Sequence, residues 1–179
     1  MRAVTAITIA AFASISLAAC GGSGSSNGGG GGTTGGAIGE TRTIHYAGYG
    51  DGMGKEDIAV TLLQIVPSAS SSEQGFGPES GDQLVAVQLR VKNLSSAPYS
   101  DSTSDCVTAT DAADQSIPPQ EDSPVTVGPA FPGIVDLTPG GSVTGVLTFE
   151  IGSGDSLAAV HFDPSRGDGG SPIATWKVN

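Results

Sequence analysis

The sequence predicts an all-β domain, an antiparallel sandwich or barrel of about seven or eight short strands, and three observations lead there. From about Thr41 onward, apolar runs alternate with clusters of turn residues. The clearest runs have period two, and no segment of this region shows a convincing period of 3.6. Charged residues make up 14% of the chain and aromatics 5%, while glycine, proline, serine and threonine are abundant, the composition of short strands joined by many turns.

Taken in order, the candidate strands are Ile44–Tyr49, Ile58–Val66, Gln83–Lys92, Cys106–Thr110, Ser116–Pro118, Val143–Ile151, Leu157–Phe162 and Ile173–Val178. In QLVAVQLRVK, Val85, Val87, Leu89 and Val91 fall on one face and Gln88, Arg90 and Lys92 on the other, which describes a half-buried strand. In Val143–Ile151, Val143, Leu147, Phe149 and Ile151 point inward, and Thr144, Thr148 and Glu150 outward. This run follows Thr138-Pro139-Gly140-Gly141, where proline sets φ and glycine supplies a positive φ for the turn. The expected core is Val85, Val87, Leu89, Val91, Leu147, Phe149, Val160, Phe162 and Trp176.

With 179 residues the chain holds one ordinary domain plus flanking sequence. Met1–Cys20 has one basic residue, Arg2, then an apolar stretch to Leu17 broken only by Thr and Ser, then small residues. This pattern reads as a secretory signal, too short for a membrane-spanning helix. Its end, Leu17-Ala18-Ala19-Cys20, resembles the lipobox of bacterial lipoproteins. The resemblance implies that the cysteine is acylated with diacylglycerol and becomes the new amino terminus. Gly21–Gly36 has ten glycines in sixteen residues and no large apolar side chain, so it cannot offset its own ordering entropy and reads as a tether. The expected organisation is therefore a signal peptide over 1–19, a lipidated Cys20 and tether over 20–40, and the β domain over 41–179. The expected location is the extracytoplasmic face of the cell membrane, reached through the lipid.

Two further segments carry a resemblance. Gly81–Ser95 with Pro98, a strand ending at Asn93 before a turn, and Pro139–Glu150, a Pro-Gly turn leading into a strand that ends near Phe149, are similar to hallmark segments of the telokin-like immunoglobulin-fold domains of secreted and lipid-anchored Gram-positive proteins. The resemblance covers most of residues 41–179. It implies an immunoglobulin-like antiparallel β-sandwich and no common chemistry. The inter-sheet disulfide of antibody domains is missing from the pattern, since Cys20 and Cys106 are the two cysteines of the chain.

Charge narrows the partners. Eighteen acidic side chains face seven basic ones, a net charge of −11. Without Met1–Ala19, whose one charge is Arg2, the balance is −12, a field that repels nucleic acid and anionic headgroups. No nucleic-acid partner is expected, and the domain is expected to be monomeric.

Candidate chemistry is sparse, and each group has a plainer reading. His45 and His161 are the two histidines, and His161, alternating with Val160 and Phe162, is expected in solvent on the face away from the core. Two histidines and one thiol at no familiar spacing do not make a zinc site, and Asp101, Asp105, Asp111 and Asp114 lack the alternation and glycine of a calcium loop. Asp111-Ala112-Ala113-Asp114 reads as a hairpin turn, and Asn93-Leu94-Ser95 as a strand-ending turn although it matches a glycosylation sequon. No GxSxG, HExxH, P-loop or paired-cysteine motif occurs, so neither enzyme activity, nor a cofactor, nor a metal is expected. Cys106 is expected as a reduced, partly buried thiol at the start of a strand.

Function is then sought in residues that packing does not need. Pro67–Gly81 is rich in serine. Pro118–Gly133 holds Pro118, Pro119, Pro124, Pro129 and Pro132, and connections of this length are usually functional or disordered. A proline-restrained loop loses less entropy on binding. Val125, Val127 and Phe131 within Glu121–Phe131 are the candidate surface for an envelope or surface protein, with Phe131 as anchor. The same residues also suit a crossing between two sheets with Phe131 packed beneath it. A binding module for a protein or envelope polymer leads. A carrier or sensor of a small apolar ligand or lipid in the cell envelope, which requires a cavity between the sheets, is the alternative.

Overall fold

The computed structural model describes residues 36–47, 55–102, 104–120, 123–164 and 174–178. The signal peptide, Cys20 and the tether up to residue 35 lie outside the described residues. So do the end of the Ile44–Tyr49 run, Glu121 and Ile173.

Ten strands follow in order: β1 (Thr41–Ala47), β2 (Lys55–Ala69), β3 (Asp82–Asn93), β4 (Tyr99–Asp101), β5 (Val107–Asp111), β6 (Ser116–Ile117), β7 (Val135–Leu137), β8 (Ser142–Gly152), β9 (Leu157–Phe162) and β10 (Ala174–Lys177). A 3-10 turn, Ser104–Cys106, precedes β5, and no α-helix occurs among the described residues. One sheet has the order β1-β2-β3-β8, the other β10-β9-β5-β6, and β4 pairs with β7 in a small third sheet. Every strand pairing is antiparallel. The fold is an immunoglobulin-like antiparallel β-sandwich.

All nine expected core residues are buried. Trp176, Tyr99, Phe149 and Phe162, all nearly inaccessible, fill the space between the sheets together with the valines and leucines of β2, β3 and β8. The alternation read in β3 and β8 matches their pairing, with Val85 opposite Phe149, Val87 opposite Leu147 and Val91 opposite Val143. At the turn before β8, Gly140 has φ of 76°, a conformation glycine adopts without cost.

Three elements differ from the sequence expectation. The short strands β4 and β7 pair with each other and are too brief to carry a period. β2 runs on to Ala69, through the proline expected to begin a loop. Pairing slips between Leu62 and Gln64 and again between Val66 and Ala69, and Pro67 sits in the second irregularity, where a strand tolerates a missing N–H. At the other end, Gly36 is already part of the fold. Its N–H donates to the Thr175 carbonyl (2.8 Å), and its own carbonyl accepts from Lys177 (2.9 Å). The indole N–H of Trp176 donates to the Glu40 carbonyl (2.9 Å), and the Gly39 N–H to that of Leu62 (2.7 Å).

Residues 36–40 thus close one lateral edge of the sandwich, from β10 to β1. The opposite edge carries β8 and β6, which pack beside each other, with β7 against β8.

Candidate functional site

β8 ends the first sheet, and an unpaired edge of this length would offer itself to other chains. The proline-rich segment covers it. Gln120 N–H donates to the Thr148 carbonyl (2.7 Å), Phe131 N–H to that of Val146 (3.0 Å), and Val146 N–H to that of Pro129 (2.9 Å). Between these contacts the chain crosses the outer face of the sheet and reaches the serine-rich loop. There Ser72 N–H donates to the Pro124 carbonyl (2.9 Å) and Thr126 N–H to that of Ser70 (3.0 Å). Residues 118–120 and 123–133 therefore form a strap over the β8 edge that is bonded to the serine-rich connection. Five backbone bonds at about 1 kcal/mol each, plus about 1.5 kcal/mol or more for burying Val125, make it a fixed part of the fold.

The strap changes what the outward positions of β3 and β8 do. Leu84, Ala86 and Val146 are buried beneath it with Val125 in a second apolar cluster. Thr148, expected outward, does point away from the main core but is only 4% exposed, and its hydroxyl donates to the Ser123 carbonyl (2.7 Å). The sequence did hold a signal for this, since Leu84-Val85-Ala86-Val87 is an unbroken apolar run of the kind found in strands buried on both faces.

The three candidate surface residues are placed differently from one another. Val125 (6% exposed) belongs to the cluster under the strap, and Val127 is half-buried against it. Phe131 (9% exposed) enters the main core over Gly145, where β8 has no side chain in the way. They form no continuous exposed apolar surface. Phe131 alone of the three lines an open cleft of about 440 Å³.

This cleft lies on the β8 edge. Its floor is Phe131, Val146, Leu147 and Thr148, all buried, and its walls are the two limbs of the strap and the residues Ser102, Ser104 and Asp105 between β4 and β5. Deep apolar atoms under a rim of Ser102, Ser104, Asp105, Gln120 and Ser123 suit a ligand with an apolar body and a polar end.

The wall at Ser102 is braced by Cys106. This thiol ends the 3-10 turn just before β5, is buried as expected, and donates to the Ser102 carbonyl (3.3 Å). Asp111 accepts from the N–H groups of Ala113 and Gln115 (2.8 and 2.9 Å), and Asp114 adopts φ of 58°, so this pair of acids shapes the β5–β6 hairpin. Among the described residues no group of three or more His, Cys, Asp or Glu side chains is placed to hold a metal ion.

His45 is exposed on β1, its Nδ1 2.7 Å from Asp57 Oδ1 on β2. His161 lies on the outer face of β9, as expected, but is half-buried instead of solvated. Thr110 and Thr175 flank it from β5 and β10, with hydroxyls 3.3 and 3.0 Å from its ring nitrogens. Burial lowers its pKa from the usual 6.5, against the opposing pull of Asp114.

Asn93 is fully buried. Its side-chain amide donates to the carbonyls of Ala97 and Leu137 (2.8 and 3.2 Å), and its side-chain oxygen accepts from Ser95 N–H (2.8 Å). Its backbone meets Gly140 and Gly141 (3.1 and 2.9 Å), so the two segments that carry the family resemblance touch each other. That is the strand-ending turn read from the sequence.

Against known proteins, the chain is first of all one of the immunoglobulin-like β-sandwiches. No protein-family model and no curated protein sequence matches it. Among solved structures it is similar to MPT63, a secreted protein of Mycobacterium tuberculosis, with a TM-score of 0.57 at 14% identity, covering 81% of this chain and 97% of that one. The YjhA protein of Bacillus subtilis matches with a TM-score of 0.52 at 16% identity, over 80% of this chain and 99% of its own. YcdA of Bacillus subtilis, named as a candidate lipoprotein, gives a TM-score of 0.52 at 18% identity, over 68% of this chain and 36% of the longer protein. At these identities the likeness shows the fold alone. No helix among the described residues is long and apolar enough to cross a membrane.

Proposed function

We propose that this chain is a cell-envelope lipoprotein, held through a lipidated Cys20 at the extracytoplasmic face of the membrane, whose sandwich is a binding module with the β8-edge cleft as its site. The observation that carries this is the placement of the cleft relative to Gly36. Gly36 lies at the β1–β10 edge, whereas the cleft lies at the β8–β6 edge, roughly 14 Å across the sheet from strand axis to strand axis. A glycine-rich tether of this length spans about 20–24 Å. A tether joined at Gly36 would leave the cleft edge clear of the point of attachment.

The cleft is built to bind and not to react: a floor of apolar side chains under hydroxyl and amide groups, on a rigid sheet edge. A carrier of apolar ligand enclosed between the sheets is disfavoured, because Trp176, Tyr99, Phe149 and Phe162 occupy that space. The module reading is tested by placing a photo-crosslinking residue at Ala130, exposed on the cleft, or at Thr43, exposed on β1, in intact cells. A discrete adduct is expected from Ala130 and not from Thr43. The same adduct pattern from both positions, or none from Ala130, overturns it.

A further inference from the structure

We infer that the cleft receives Ile134 from a second copy of this chain, two copies on one membrane pairing about a two-fold axis with each Ile134 seated in the other's cleft. This rests on the cleft being the binding site proposed above, and it names the partner.

Three observations carry it. The first is what the cleft leaves open. Asp105, the one charged group among the described lining residues, already interacts within the chain, and the Ser102 and Ser104 hydroxyls lie 3.3 Å apart as each other's partners. The surface that remains to be covered is the apolar floor of Phe131, Val146 and Leu147, which suits an aliphatic side chain.

The second is the returning limb of the strap. Pro129, Ala130, Pro132, Gly133 and Ile134 are all exposed and none carries a charge, in a chain with 18 acidic side chains. Ile134 is the most exposed large apolar side chain among the described residues, at 66%. Nothing lies within 4 Å of a carbon added at Gly133, so another surface can come close to the backbone beside it. The backbone bonds of Pro129 and Phe131 to Val146 hold this limb in place, which leaves little order to impose on binding. A pre-ordered apolar strip without charge has the composition of an interface centre.

The third observation selects a second copy. Projection and recess lie side by side on one molecule, because Gly133 lines the cleft and Ile134, the next residue, stands outside it. Such a patch is complementary to itself: the two-fold rotation that seats one Ile134 in the partner's cleft also seats the partner's Ile134 in its own. A volume of about 440 Å³ admits this side chain together with the backbone that precedes it. The net charge of −11 opposes the pairing, so a dilute domain stays monomeric, while copies held on one membrane meet at a far higher effective concentration.

The test uses the full chain in intact cells, expressed in two forms with different carboxy-terminal tags and with the photo-crosslinking residue at Ala130. Adducts carrying both tags are expected. Ile134→Ser, or a charge placed on the strip by Pro132→Asp, should lower them several-fold without changing the unfolding temperature, since both side chains are exposed. Ile134→Leu should retain them, and so should Ile38→Ser, exposed (46%) near the β1–β10 edge. In isolated membranes the two-tag adducts should increase on going from about 0.05 to about 0.5 M salt, as screening removes the repulsion.

Adducts from Ala130 that join the chain only to a different protein overturn the second copy and leave the cleft as a binding site. Two-tag adducts that persist in both Ile134→Ser and Pro132→Asp, or that diminish with added salt, overturn the pairing as crowding or as attraction between charges. No adduct from Ala130 overturns this inference and the proposed function together.

Discussion

Gly145→Ala is a one-carbon change whose cost can be worked from the packing around β8. A Cβ at this position would lie 2.6 Å from the Phe131 Cα and 2.7 and 2.8 Å from two atoms of its ring. Contacts this short to backbone cannot be relieved by rotating a side chain. If the strap shifts outward to make room, the cost is that of overpacking, about 1–3 kcal/mol. If the ring leaves the core, the cost approaches that of deleting a buried phenylalanine, about 3–5 kcal/mol. The cheaper response dominates, so a loss of about 2–3 kcal/mol is expected, or roughly 5–10 °C in Tm for a domain of this size. Gly133→Ala, with nothing within 4 Å of the added carbon, is the control and should be near neutral. Urea denaturation of Gly145→Ala, Phe131→Ala and the double variant completes a cycle. Removing the ring relieves two of the three close contacts, so Gly145→Ala should cost about 1 kcal/mol less in the Phe131→Ala background. A cost below about 0.5 kcal/mol for Gly145→Ala alone, or strict additivity, would refute the claim that Phe131 is seated through this gap.

Other consequences can be measured separately. Phe149→Ala should cost about 3–5 kcal/mol by denaturation. Thr148→Ala should cost about 1–2 kcal/mol, since it removes the partner of the part-buried Ser123 carbonyl, and a loss indistinguishable from zero would mean the strap does not hold Thr148. For His161 the folded pKa lies below the usual 6.5, so as pH falls through 6.5 the unfolded chain takes up the proton first and stability drops until the folded pKa is passed. His161→Gln should flatten that part of the stability–pH curve, and an unchanged slope would assign it elsewhere. The Cys106 thiol should react with a thiol reagent only as fast as the domain opens, and rapid labelling of the native protein or a disulfide-linked dimer would contradict its burial. Cys20→Ala should move the protein from the membrane fraction to the medium or leave an unprocessed precursor, whereas wild-type processing and fractionation would sink the lipid anchor.

Much of the sandwich was legible because strand periodicity is local. Whether Val85 or Ala86 faces the main core is decided by alternate residues pointing to opposite sides, and the sequence shows that alternation directly. The same logic placed Leu147 and Phe149 inward and identified the turn at Pro139-Gly140. It could not show that the other side of β3 and β8 is also covered, because what covers it comes from residues 118–133, with their own pattern broken by five prolines. Phe131 stood out as a large apolar residue in a long connection, yet its destination depended on Gly145, a position that looks in sequence like any glycine in a strand. His161 was expected in solvent for a related reason: a period reports the side of the sheet, not the threonines that neighbouring strands place beside it.

By itself the sequence determined that the domain is all-β, which residues of β3, β8, β9 and β10 make the core, and where the turns fall, since each follows from preferences and alternation over a few residues. Only the tertiary structure decided that the strap seals the β8 edge, that β4 finds β7 thirty-odd residues away, and that the cleft lies opposite the point where the chain enters the fold. Those arrangements arise from pairing between segments distant in the chain, where buried backbone groups must find partners, and no local period records which partner they find.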